Sequence, residues 1–196
     1  MDEEKVTERI LDRTVDRIFS GGFSGFTMDD VASDAGVSKK TLYRLLPSRN
    51  KLIITAVERQ VNRVKRRQEA IIADASLSYC EKLNAMLTVV SEVISRVNRQ
   101  TLKDLARLHP EVWEVIRERR MLLLKNMTRI LEEGREAGEI RTDIPANFIA
   151  LYFQTMVDAL ISPRTAAEAD MSPSDLMSST LTLFFEGAAT TKGGAA

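Results

Sequence analysis

Cysteine and histidine are almost missing from this sequence, which holds one of each, Cys80 and His109, in 196 residues. A single cysteine excludes a disulfide within the chain and a metal site of the CxxC type. No cysteine, serine or carboxylate pattern accompanies His109 to suggest a catalytic triad or a zinc site. We therefore expect Cys80 to pack as a small hydrophobe, with a thiol sensor as the alternative, and His109 to lie in a loop or cap. The sequence predicts no catalytic residue, no metal and no cofactor.

Phosphate-loop and membrane-spanning patterns are missing as well. There is no glycine-rich phosphate loop, and no apolar run approaches the roughly 18 residues that a transmembrane helix needs. The first ten residues are rich in charge, so a secretory signal is not predicted. We expect a soluble cytoplasmic protein without a membrane partner. A helical-bundle enzyme is the less favoured alternative, since Glu132 and Glu133 fit a solvated helix face better than an acid and a base.

Positive charge is present but concentrated. The chain as a whole has 28 basic and 28 acidic residues and no net charge. Residues 1–38 hold 4 Lys and Arg against 9 Asp and Glu, a net charge of −5, whereas residues 39–67 hold 10 against one, a net charge of +9. Such a patch is expected where a protein binds phosphate, and it predicts salt-dependent affinity for DNA. The far end of the patch, Lys65 to Arg67, lies about 24 Å along the next helix and is expected to be a solvated face or a hinge-side charge cluster.

Two short helices joined by a turn are predicted where this patch begins. Thr27 is a good cap for a helix that starts near Met28, and the aspartates that follow suit its first turn. Gly36 supplies the turn, because glycine adopts positive φ without steric cost, and Ser38 caps the next helix. The sequence therefore predicts a helix-turn-helix.

The second of these helices, from Lys39 to about Leu46, has two different faces. Its leucines lie on one side, and Lys39, Lys40, Tyr43 and Arg44 lie on the other. Pro47 ends it, because proline disfavours a helical conformation in the residue before it. A short basic helix on a small hydrophobic corner fits the major groove of DNA. A generic helical hairpin with a solvated charged face is the alternative.

The segment from about Ile10 to Val57, ILDRTVDRIFSGGFSGFTMDDVASDAGVSKKTLYRLLPSRNKLIITAV, resembles the N-terminal domain of the TetR family of bacterial transcriptional regulators. The order and spacing of ILD, the glycine pair, FTMDDVA, AGVSKKTLY and PSRNKL all match. The chain departs from the family at Lys40, where a small residue is common. The base preference of relatives therefore does not transfer to this chain.

This resemblance implies an all-α fold, with an N-terminal three-helix helix-turn-helix domain and a C-terminal helical domain for ligand binding and dimerisation. It implies that Thr27 and Ser38 contact phosphates, that Lys39, Lys40 and Thr41 face the groove, and that Tyr43 contacts the DNA backbone. Arg49 and Lys51 match the start of the fourth helix, where a basic side chain pairs with phosphate. The predicted DNA-binding residues are Thr27, Ser38, Lys39, Lys40, Thr41, Tyr43, Arg44, Arg49 and Lys51.

Helical periodicity continues to nearly the end of the chain. We expect a DNA-binding domain over residues 1–50, a ligand-binding and dimerisation domain over 51–190, and a disordered tail over 191–196. A fourth helix, about 49–73, links the two domains. Further helices are predicted at about Tyr79–Val97, Thr101–Leu108, Glu111–Ala137, Ala146–Ile161 and Ser172–Gly187.

The last two of these helices are apolar on more than one face, which predicts burial against another copy of the chain. The family resemblance implies that they form a four-helix interface in a homodimer, whose recognition helices lie about 34–36 Å apart on a palindromic operator.

A small hydrophobic or amphipathic effector is expected to release the DNA by moving the fourth helix. Large and adaptable side chains of the C-terminal domain suit such a ligand, although each taken singly also fits a core role. The candidate pocket residues are Met86, Val90, Trp113, Met121, Leu124, Met127, Phe148, Tyr152 and Met156. A DNA-binding regulator without an effector and a pure protein-interaction bundle are the alternatives.

Overall fold

The computed structural model describes residues 2–98, 100, 101, 104, 110–160 and 171–188. Within these ranges the regular elements are eight helices, which confirms the predicted all-α fold. Their bounds are α1 Glu3–Gly21, α2 Met28–Asp34, α3 Lys39–Leu45, α4 Arg49–Ala73, α5 Tyr79–Ile94, α6 Pro110–Glu136, α7 Ala146–Leu160 and α8 Pro173–Ala188.

Most predicted boundaries agree with the observed ones to within a residue or two. The predicted helix from Tyr79 ends at Ile94 rather than near Val97, because the chain turns there and Asn98 bonds elsewhere. The predicted helix at Thr101–Leu108, His109 and the tail at 191–196 lie mostly or wholly outside the described residues.

Two compact units make up the chain. Unit 1 is Met1–Arg63 with Arg96–Arg117, and unit 2 is Val64–Ser95 with Glu118–Ala196. Helices α4 and α6 each carry residues of both units. The predicted division of function at residue 50 stays a prediction.

Unit 1 is organised by the first three helices, which pack α1 on α2 and α2 on α3. Asp2 caps α1, and Gly22 ends it with a φ of 77°. Two backbone carbonyls at this end accept hydrogen bonds from side chains later in the sequence. Asn98 Nδ2 donates to the carbonyl of Phe19 at 2.9 Å, and Thr101 Oγ1 donates to the carbonyl of Ile18 at 2.7 Å. The core of the unit is apolar and fully buried, and includes Ile10, Val31, Leu42, Leu52 and Ile53.

Unit 2 packs α8 against both α5 and α7. Ser78 and Glu81 form a reciprocal cap at the start of α5, and the Tyr79 N–H donates to Glu139 Oε2 at 2.7 Å. Phe153 and Phe184 join α7 to α8 by an edge-to-face contact with ring centroids 5.0 Å apart. The core of this unit is separate from that of unit 1 and includes Leu83, Met86, Leu87, Met127, Ile130, Leu131 and Phe153. No helix in the described part of the chain has the length and apolar character to cross a membrane.

Candidate DNA-binding surface

The corner between α2 and α3 is set by local hydrogen bonds. The Asp30 N–H donates to Thr27 Oγ1 at 3.2 Å, and the Thr27 N–H donates back to Asp30 Oδ2 at 2.7 Å. This second bond lowers the pKa of Asp30. Gly36 turns the chain with a φ of 62°, and Ser38 Oγ then accepts from the Thr41 N–H at 3.1 Å. These bonds satisfy the free N–H groups at both helix starts and fix the direction of α3.

Helix α3 buries one side and exposes the other. Leu42 is fully buried and Leu46 is nearly so, while Val37 packs against the same core from the turn. The opposite side carries Lys39, Lys40, Tyr43 and Arg44, all of them exposed. Because the leucines anchor the helix, the exposed side is held as a fixed basic surface with one aromatic ring, half of which faces solvent.

Two carboxylates pair with this basic surface. Asp29 Oδ2 lies 2.5 Å from Lys39 Nζ, and Glu3 Oε1 lies 2.6 Å from Arg44 Nη1. The hydrogen bond that Lys39 donates to Asp29 raises the pKa of Lys39. All four side chains are exposed, so each pair is weak and screened by salt. Phosphate can therefore displace either carboxylate. Neither partner was predicted from the sequence.

Arg49 and Lys51, at the start of α4, have different surroundings. Arg49 is partly buried, and its guanidinium donates to the carbonyls of Phe23 and Phe26 and lies 4.9 Å from the centre of the Phe26 ring. Lys51 is exposed, and its N–H donates to Ser48 Oγ at 3.2 Å. Arg49 therefore holds the loop before α2, whereas Lys51 is available to solvent. A phosphate contact of either side chain stays a prediction.

An ion pair that the sequence did not reveal fixes α2 on α1. Arg17 Nε lies 2.6 Å from Asp34 Oδ2, and Arg17 Nη2 donates to the other carboxylate oxygen at 2.9 Å. This bidentate hydrogen bond lowers the pKa of Asp34 and raises that of Arg17. Beside it lies a shallow charged depression of about 470 Å³, open to solvent and also lined by Arg13, Asp16 and Ser20. Its mixed charge favours no particular ligand. Within the described residues, no group of His, Cys, Asp and Glu is arranged to hold a metal ion.

The structure divides the nine candidate pocket residues. Met86 and Met127 are fully buried in the core of unit 2, and Val90 and Leu124 pack against that core. Met156 is half-buried. The remaining four are exposed, namely Met121, Phe148 and Tyr152 of unit 2 and Trp113 of unit 1. Their assembly into one pocket stays a prediction. The four residues in or against the core of unit 2 support it best.

Comparison with known proteins gives matches over the N-terminal helices and over most of the chain. The model of the family described as bacterial regulatory proteins, tetR family, matches residues 10–56. The helix-turn-helix regulator YvaF of Bacillus subtilis is 27% identical over 184 residues, covering 92% of this chain and 94% of YvaF. The transcriptional repressor KstR of Mycolicibacterium smegmatis is 30% identical over 89 residues, covering 45% of this chain and 43% of KstR.

A solved structure shares the fold. The crystal structure of a TetR-family transcriptional regulator from Agrobacterium tumefaciens covers 96% of this chain and 100% of its own, with a TM-score of 0.75 and 16% identity. The likeness therefore extends beyond residues 10–56, which the family model matches, into unit 2.

Proposed function

Because the chain belongs to the TetR family of bacterial regulatory proteins and is a DNA-binding transcriptional regulator, we propose that it is a dimeric repressor released by a small ligand. Its relatives are regulators of transcription, which confirms the prediction that the chain is not an enzyme. As a regulator of bacterial genes, it is proposed to act in the cytoplasm.

The exposed basic side of α3 carries the DNA-binding part of this proposal. We propose that Lys39, Lys40 and Thr41 enter the major groove, and that Tyr43 and Arg44 contact the DNA backbone beside it. The exposed hydroxyls of Thr27 and Ser38, together with Lys51, bind phosphates on either side. Arg49 contributes to DNA binding by holding the loop before α2 in place.

Dimerisation through α7 and α8 is supported by the apolar side chains that these helices leave uncovered. Phe148, Leu151 and Tyr152 on α7 are each more than half exposed, and Leu183 on α8 is 69% exposed. The rings of Phe148 and Tyr152 stack with centroids 6.5 Å apart. The opposite faces of the same helices are already packed inside unit 2. A second copy of the pair therefore fits this surface as an isologous four-helix interface, and such a dimer reads a palindromic operator.

Release by an effector is supported by the buried methionines of unit 2. Met86 and Met127 are flexible and polarisable, and side chains of this kind adapt to a hydrophobic or amphipathic ligand. We propose that the ligand binds among them and shifts α4, which belongs to unit 1 up to Arg63 and to unit 2 from Val64 onward. A coupling of roughly 1–3 kcal/mol would change operator affinity about 5 to 150-fold.

Binding to the chain's own promoter region, followed by gel shift, tests the DNA-binding surface. The variant with Lys39→Ala and Tyr43→Ala is expected to lose specific binding while keeping its helix content and dimeric state. Lys125→Ala is the matched control, since Lys125 is an exposed lysine of α6 in unit 2 and should leave binding unchanged. Equal binding by the double variant and the wild type would overturn the assignment of α3 as the recognition helix. Tight operator binding that no ligand reverses would favour a regulator without an effector.

A further inference from the structure

Unit 2 contains a buried chain of polar groups that crosses three helices. Gln68 of α4 is fully buried, and its amide nitrogen, Nε2, donates to the carbonyl of Met86 on α5 at 3.4 Å. The same side chain accepts, through Oε1, a hydrogen bond from Arg119 Nη2 of α6. A glutamine and an arginine therefore enter a region whose other members are apolar.

Arg119 is incompletely satisfied in this position. Its Nε and Nη1 atoms are buried and have no hydrogen-bond partner among the described residues. Burial lowers the pKa of Arg119, and the charge of Glu69 opposes this only in part. In the described part of the chain no carboxylate forms an ion pair with Arg119, and Glu69 itself pairs with Lys65 at 3.7 Å. Buried donors without acceptors are rare in folded proteins, and each needs a partner.

The adjacent Arg120 shows the usual arrangement. It lies on the same helix and is also largely buried, but its Nη1 is 2.9 Å from Asp158 Oδ1. A guanidinium in this part of α6 can therefore be matched by a carboxylate of the chain. Arg119 differs because its buried donors face no carboxylate among the residues that the structure describes.

The apolar surroundings of Arg119 suit one kind of molecule. Leu123 and Met127 follow it at intervals of four residues on the same face of α6, and both are buried. Met86, whose carbonyl ends the polar chain, lies in the same core. The free N–H groups are strong donors to an oxyanion, while the neighbouring side chains suit a hydrocarbon.

We propose that Arg119 binds the anionic head group of the effector, and that the effector is an oxyanion carried on an apolar chain. This inference rests on the proposed effector-released repression and names the chemistry of its ligand. Gln68 of α4 accepts a hydrogen bond from the same guanidinium. An anion bound to Arg119 is therefore connected through Gln68 to the helix that we propose to shift. The alternative is a purely structural Arg119 whose remaining donors are bonded by water.

Calorimetric titration of the full-length protein with ligands of equal chain length tests this proposal. Decanoate, decyl phosphate and decanol carry a carboxylate, a phosphate and a neutral hydroxyl on the same hydrocarbon. We expect one of the two anions to bind about tenfold or more tightly than decanol, because hydrogen bonds to a charged group are the stronger ones. The anion that binds more tightly identifies the head group. Equal affinities for all three ligands would overturn the proposal.

Two variants make the test specific. Arg119→Gln retains a donor for Gln68 but removes the charge, and it is expected to bring the affinity ratio of anion to decanol close to one. Arg120→Gln is the matched control and should leave that ratio unchanged. If Arg119→Gln does not fold, Arg119→Lys keeps the charge without the planar guanidinium and should lower the ratio. A ratio that persists in the folded variant would overturn the role of Arg119.

Operator release by the same ligands separates this proposal from the function on which it rests. Anion-selective binding that requires Arg119, without operator release, supports the site and overturns the effector function. Release by decanol and the anions at the same concentrations, in wild type and Arg119→Gln alike, supports the effector function and overturns the site.

Discussion

Replacing Lys51 with alanine is expected to reduce the salt dependence of operator binding by a calculable amount. Lys51 is exposed at the start of α4, and its replacement disturbs neither the core nor the guanidinium of Arg49. Each lysine or arginine that neutralises a phosphate releases counterions and adds about 0.9 to the slope of log affinity against log salt. A dimer that lacks Lys51 loses two such contacts. The magnitude of the slope should therefore fall by about 2.

The total slope depends on the two surface ion pairs. Four exposed basic side chains lie on the proposed surface, namely Lys39, Lys40, Arg44 and Lys51. If all four reach phosphate or displace ions in both subunits of the dimer, the slope is about −7. If Lys39 and Arg44 remain paired with their carboxylates, only two contacts per subunit remain and the slope is about −4. We expect the steeper value, because both pairs are exposed and weak.

Fluorescence anisotropy of a labelled operator, measured from about 50 to 200 mM salt, gives both quantities. Over this range a slope of −7 corresponds to a loss of affinity of about 10⁴-fold in the wild type and about 10³-fold in Lys51→Ala. Arg66→Ala is the control, since it removes the same charge from an exposed position farther along α4, in unit 2. The reasoning fails if Lys51→Ala keeps the wild-type slope, or if Arg66→Ala lowers the slope as much.

Three further predictions concern assembly and stability. Leu183→Asp places a charge in the proposed dimer interface, so sedimentation should show a monomer with unchanged helix content, and an intact dimer would refute the interface. Gly36→Ala is expected to cost about 1–2 kcal/mol in urea unfolding because φ is positive, whereas Gly21→Ala, in ordinary helical backbone, should cost little. Equal losses would contradict this. Because Arg17 holds the pKa of Asp34 below 3.8, the stability from this pair is present above pH 3.8 and lost as pH falls through the lower folded-state pKa. Arg17→Met should flatten the acid limb of a stability profile, and an unchanged limb would exclude this contribution.

The helix-turn-helix of α2 and α3 could be predicted from the sequence, because the residues that determine it act locally. Thr27, Gly36 and Ser38 act on atoms within a few residues of themselves, so capping and turn preferences located α2 and α3 correctly. The leucine spacing of α3 likewise separated its buried and exposed sides. Spacing alone could not show that Asp29 lies against Lys39, because that contact depends on the angle between two helices.

Unit 2 was less predictable, since hydrophobicity does not reveal which neighbour covers a side chain. Met127 and Tyr152 both fitted a pocket by residue type, yet one is fully buried and the other is half exposed. Arg119 was missed for the opposite reason. It stands in the run Arg117 to Arg120, a charged pattern that is typical of a solvated helix face.

Arg49 and Arg119 show why residue type and position on a helix do not determine the role of an arginine. Both guanidinium groups lie partly inside the protein, and both occur in segments rich in charge. Arg49 meets two backbone carbonyls and an aromatic ring, so its donors are used and its function is to hold a loop. Arg119 meets one amide oxygen, and two of its buried nitrogens have no acceptor within the part of the chain that the structure describes. The supply of acceptors, which depends on distant parts of the chain, therefore distinguishes a structural arginine from one that can bind an anion.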